Sequence, residues 1–116
     1  MTTFDEREDT FEKKFIHDEN LRFQAFCHRN RLLAHWCADI GGEKTDQVQD
    51  YCERFVINHM QSSEQEIVQK VHQYLEISGS PRSIRDIRRH MALFQEQAEQ
   101  HIIENGMLKD FRTFIQ

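Results

Sequence analysis

Proline occurs once and glycine four times in 116 residues, too few turn formers for a sandwich or barrel, which needs a turn about every dozen residues. Alternating apolar and polar residues, the mark of a half-buried strand, are also absent. The longest apolar run is Met91-Ala92-Leu93-Phe94, far short of the roughly 20 residues that span a bilayer. Membrane insertion is therefore not expected. Met1-Thr2-Thr3 leads directly into Asp5-Glu6-Arg7-Glu8-Asp9 and not into the apolar core of a signal peptide, so a cytoplasmic location is expected. Basic charge is scarce as well. With 20 acidic and 15 basic residues the net charge is -5, which leaves no broad positive surface for nucleic acid. Three cysteines, Cys27, Cys37 and Cys52, are an odd number on apolar helical stripes, and buried reduced thiols are expected of them.

What the chain does contain is helical periodicity. Gly41-Gly42 ends a first stretch, and Thr45 or Asp46 is positioned to cap a second. Ser62-Ser63 precedes a third stretch, with Ser63 and Glu66 spaced as a capping box. Gly79-Ser80-Pro81 precedes a fourth, with a weaker Ser83–Asp86 version of that box, and Gly106 is its natural stop. Apolar residues recur at three and four within each stretch. They are Phe23, Phe26, Cys27, Leu33, Ala34, Trp36, Cys37 and Ile40, then Val48, Tyr51, Cys52, Phe55 and Val56. The third stretch has Ile67, Val68, Val71, Tyr74 and Leu75, and the fourth Ile84, Ile87, Met91, Phe94, Ala98 and Ile102. The reading is an all-α protein, an antiparallel four-helix bundle over residues 19–106. Residues 1–18 form a mobile N-terminal arm and residues 107–116 a C-terminal extension.

Charge is distributed unevenly over this plan. Residues 1–19 carry seven acids and three bases, and so four of the five net negative charges. The same segment places Phe4, Phe11 and Phe15 at i, i+7 and i+11, on one face of a helix. Four short helices close on their own faces, so this stripe either extends the first helix beyond the bundle or stays unfolded. In both cases the phenylalanines need a partner.

Chemistry is sparse elsewhere. None of the seven histidines follows a glutamate by three residues, the pattern of carboxylate-bridged metals in bundles. No Cys-x-x-Cys pair suits zinc, and Cys52 with His59 is the closest approach to a ligand pair. No metal site is expected. Nucleophile elbows and phosphate-cradling glycine loops are likewise missing, so the chain reads as a non-enzyme. One cluster, Arg82, Arg85, Arg88 and Arg89, crowds the start of the fourth helix, where free N–H groups attract anions. The structural alternative for it is a solvated basic face paired with Asp86 and other acids.

The opening Met-Thr-Thr-Phe-Asp-Glu-Arg-Glu, with Phe11-Glu12-x-Lys14-Phe15 and His17-Asp18-Glu19-x-Leu21-Arg22-Phe23, closely resembles the zeta subunit family of alphaproteobacterial ATPase inhibitors. Arg29-Asn30-Arg31-Leu32-Leu33 with Trp36, and Ile87-Arg88-Arg89-His90-Met91, resemble later motifs of that family. The resemblance covers about residues 1–104. It departs from the family's small residues at Phe26-Cys27-His28 and at His35, both on the bundle. The resemblance implies an inhibitor of ATP hydrolysis by the F1 sector of ATP synthase, monomeric when free and associated with the cytoplasmic face of the membrane-bound enzyme. Its N-terminal segment is then expected to become helical and wedge between alpha and beta subunits next to the rotor. On that mapping Phe4, Phe11 and Phe15 are buried anchors, with Asp5, Arg7, Glu8, Glu12 and Lys14 as the polar rim. No cofactor is required, and weak ATP or ADP binding is an open possibility. A second reading, from the residues alone, is a small nucleotide- or anion-binding module that uses Arg82, Arg85, Arg88 and Arg89. A third is a structural bundle that self-associates through the Phe stripe.

Overall fold

Local capping chemistry sets the first helix. In the computed structural model, which describes residues 18–105, α1 runs over Glu19–Gly41. Asp18 caps it, accepting from the Leu21 backbone N–H at 3.2 Å. Gly42 ends it in the left-handed region at φ 78°, and the Glu43 N–H then closes back on the Ala38 carbonyl at 2.9 Å. Gly41 is needed for another reason: a Cβ there would lie 2.6 Å from the Tyr74 hydroxyl oxygen.

Helix α2 spans Thr45–Asn58, α3 Glu64–Ile77 and α4 Ile84–Glu104. All four expected helices are present. The Ser63–Glu66 capping box is complete, with bonds of 3.1 and 2.9 Å. Ser83 makes one half of the same arrangement, accepting from the Asp86 N–H at 3.0 Å. The α2 start differs from expectation. Its cap position is Lys44, whose side chain makes no capping bond. The cause is the tight turn after α1: with Glu43 tied to Ala38, Lys44 is the last extended residue and Thr45 is already helical. The expected stop at Gly106 lies outside the described residues, as do the arm residues 1–17 and the extension 107–116.

Helix α1 is the central element, packing against α4, α2 and α3, while α4 also meets α3. Helices α1 and α4 are antiparallel: Leu21 and Ala25 cluster with Ile102 at one end, and Trp36 stacks on His90 at 4.3 Å nearer the other. The main core joins Leu33, Ala34 and Cys37 of α1 to residues of all three partners, including Phe55, Val71 and Met91. Because α1 is surrounded, it is buried on more than the expected stripe. Ala25 and Ala38 are fully buried beside Ala34 and Cys37, and these small side chains let neighbouring backbones approach. The larger rings, Phe26, Trp36, Tyr51, Tyr74 and Phe94, are half-buried against the core. The expected core residue Ile84 sits at the first turn of α4 and is 37% exposed.

All three cysteines are buried free thiols. Burial pushes Cys27 up to about 11 and Cys37 up to about 12, so neither is a thiolate at neutral pH.

Candidate functional site

Two places follow from the sequence: the end of the bundle from which the arm leaves, and the arginine-rich start of α4. The arm residues Phe4, Asp5, Arg7, Glu8, Phe11, Glu12, Lys14 and Phe15 lie outside the described residues. The point where the arm joins the bundle is described. There the capped first turn of α1 packs on the last turns of α4 through Leu21, Ala25 and Ile102. One step along α1, His28 stacks on His101 of α4 with centroids 4.6 Å apart. Burial lowers the His28 pKa to about 4, and the charges of His101 and Arg31 push it the same way. The interface beside the arm therefore holds a neutral imidazole at physiological pH.

Next to it is a buried cation. Arg29, 7% exposed, donates from Nε to Asn30 Oδ1 at 2.9 Å and places its guanidinium 5.2 Å from the Phe26 ring centroid. Burial lowers its pKa and the charge of Glu64 opposes the shift, so the cation is held by an amide, a π face and a helix-terminal acid. The departures from the resembled family thus divide by role. Phe26 carries the arginine, Cys27 fills core, His28 stacks on α4 and His35 is exposed.

The α4 arginines do not act as one group. Arg89 Nη2 donates to Asp86 Oδ1 at 2.7 Å, and Arg82 Nη1 lies 3.5 Å from Asp86 Oδ2. The Arg89 hydrogen bond holds the Asp86 carboxyl below its ordinary range, helped by the charge of His90. An acid thus already occupies the positive end of this helix. Arg85 and Arg88 are exposed, and Arg85 lines a shallow groove with Ser83, Asp86 and Arg89.

His59 and His90 are engaged within the bundle. His59 Nδ1 lies 3.0 Å from Ser62 Oγ, and its pKa is lowered by burial and the charge of Lys70. His90 Nδ1 is 2.9 Å from the Asp86 carbonyl oxygen. Among the described residues no three His, Cys, Asp or Glu side chains gather as a metal ion requires, and no helix is long and apolar enough to cross a membrane.

Reading the sequence alone missed Asp18 as the cap dividing arm from bundle, although an Asp directly before Glu19 at the start of an apolar period is a standard start signal. The His28–His101 stack carried no such signal, because it depends on how α1 and α4 meet; the Arg29–Asn30 pair is local to α1, and only its burial depends on packing.

A protein-family model described as ATPase inhibitor subunit zeta matches residues 1–101. No curated protein and no solved structure matches the chain.

Proposed function

Because the chain belongs to the ATPase inhibitor subunit zeta family, a family of regulatory proteins that are not enzymes and whose partner is ATP synthase, we propose that it inhibits ATP hydrolysis by inserting residues 1–18 as a helix at an alpha/beta interface of F1, beside the rotor. The observation that carries this reading is the span of the family match, which starts at residue 1 and so includes the acidic, Phe-bearing segment of the sequence.

On this reading Phe4, Phe11 and Phe15 enter a groove as one apolar stripe, and Asp5, Arg7, Glu8, Glu12 and Lys14 pair around its rim. Ordering the arm costs free energy that the buried rings must offset. Hydrolysis needs the catalytic interface to open and close, and an inserted helix holds it in one state. The bundle binds beside the enzyme's cytoplasmic face as a monomer and needs no cofactor. The test is ATP hydrolysis by F1 with wild-type protein and with Phe4, Phe11 and Phe15 replaced by Ala. The triple variant should keep the wild-type helical content and lose inhibition; full inhibition by it contradicts the wedge.

A second reading rests on the exposed Arg85 and Arg88, which leave two cations for an anion such as ATP or ADP, with Arg82 and Arg89 already on Asp86. Titration calorimetry with either nucleotide decides it: heat that vanishes in the Arg85→Ala, Arg88→Ala variant supports the site, and no heat removes it.

A further inference from the structure

The four asparagines of the chain sit in unequal settings. Asparagine is thermolabile because the backbone nitrogen of the next residue can attack its side-chain amide carbon, an attack that a tied or crowded nitrogen prevents. The nitrogen after Asn20 is tied, the Leu21 N–H donating to Asp18 Oδ1 at 3.2 Å. Asn30 is fully buried in the middle of α1, where helical hydrogen bonding fixes the backbone. Asn58 ends α2, and the His59 N–H behind it donates to the Phe55 carbonyl at 3.1 Å. Asn105 differs in position and in sequence. It stands one residue past the end of α4, where helices fray. It alone is followed by glycine, Gly106, a residue that places no Cβ beside the attacking nitrogen.

The Asn105 side chain also closes α4. Its Nδ2 donates to the His101 carbonyl at 2.7 Å and lies 3.3 Å from His101 Nδ1, and its backbone N–H donates to the same carbonyl at 3.1 Å. Two donations thus converge on one carbonyl of the last turn. That turn holds Ile102 against Leu21 and Ala25, and His101 against His28, the contacts that join the end of α4 to the first turns of α1.

We propose that Asn105 is a site of spontaneous deamidation and that its product uncaps the end of α4. The Gly106 nitrogen bonds to Asn105 Cγ and gives up its proton, the Cγ–Nδ2 bond breaks, and ammonia leaves with that proton. Water then opens the cyclic imide at either carbonyl, leaving aspartate or isoaspartate. The new carboxylate has no N–H to donate to the His101 carbonyl, and it places a negative charge at the negative end of the α4 dipole. Isoaspartate also lengthens the backbone by one methylene. Both products loosen the turn that carries His101 and Ile102 and leave α2 and α3 alone. The change runs one way, so the α1–α4 contact weakens as the molecule ages.

The test is peptide mapping by mass spectrometry, with enzymatic labelling of isoaspartate, on the full chain aged at mildly alkaline pH. Isoaspartate should accumulate at residue 105 ahead of residues 20, 30 and 58, and Gly106→Ala should lose most of it. An intact amide at 105, or isoaspartate rising equally at 58, overturns the site, as does an unchanged rate in Gly106→Ala. The structural effect is read by amide hydrogen exchange on the full-length Asn105→Asp variant. Protection at residues 101–104 should fall about fivefold and stay unchanged in α2 and α3; protection equal to the wild type at 101–104 overturns the uncapping.

Discussion

Gly41 shows how closely α1 and α3 approach. Its missing side chain leaves room for the Tyr74 ring, whose hydroxyl donates to Glu43 Oε1 at 3.0 Å. Gly41→Ala should cost about 1–3 kcal/mol through overpacking, and thermal unfolding should show a midpoint lowered by several degrees. His28 supplies a pH dependence. Its folded pKa of about 4 lies below the ordinary histidine value of 6.5, so the unfolded chain binds the proton more readily. The stabilisation it contributes is complete above about pH 6.5 and is lost as pH falls towards 4. Melting temperatures across that range should therefore fall less steeply for His28→Gln than for the wild type; parallel slopes would show that His28 is not the group responsible.

The helices differ in how well their ends are tied, and the differences can be measured. Ser63→Ala removes the Oγ that accepts from the Glu66 N–H, while the backbone N–H that donates to Glu66 Oε1 is kept, and should cost about 1 kcal/mol. Lys44→Ser should do the reverse. Lys44 already has the extended backbone of a cap, φ -66° and ψ 143°, and lacks only a side-chain acceptor, so denaturant unfolding should show a gain of about 0.5–1 kcal/mol. The same contrast explains what could be read beforehand. Ser63 and Ser83 were legible because their partners sit three residues away. Lys44 was not, because the tight closure after Gly42 moved the cap one residue ahead of Thr45. Helix α1 was legible as a helix but only partly as a core element. An amphipathic stripe names the face towards one neighbour, and α1 has three, which is why Ala25 and Ala38 proved as buried as Leu33.

As a whole the molecule has a described bundle over residues 18–105, preceded by an acidic, Phe-bearing stretch of sequence. The arm was legible as an anomaly of distribution, with a third of the nine Phe in the first fifteen residues. No rule of helix packing could name a partner; family membership points to ATP synthase as the partner of the chain as a whole. The bundle's contribution to the candidate site was hidden for the opposite reason, since His28 and His101 stack only after the helices have packed. Asp18 caps α1, so the cut that leaves the bundle intact falls before it. The most direct measurement is ATP hydrolysis by purified F1 titrated with the full chain and with a chain starting at Asp18, alongside circular dichroism of both proteins. The full chain should suppress hydrolysis, and the shortened one should show a cooperative helical melt and leave hydrolysis untouched. Inhibition by the shortened chain equal to that of the full chain would contradict the arm as the inhibitory element.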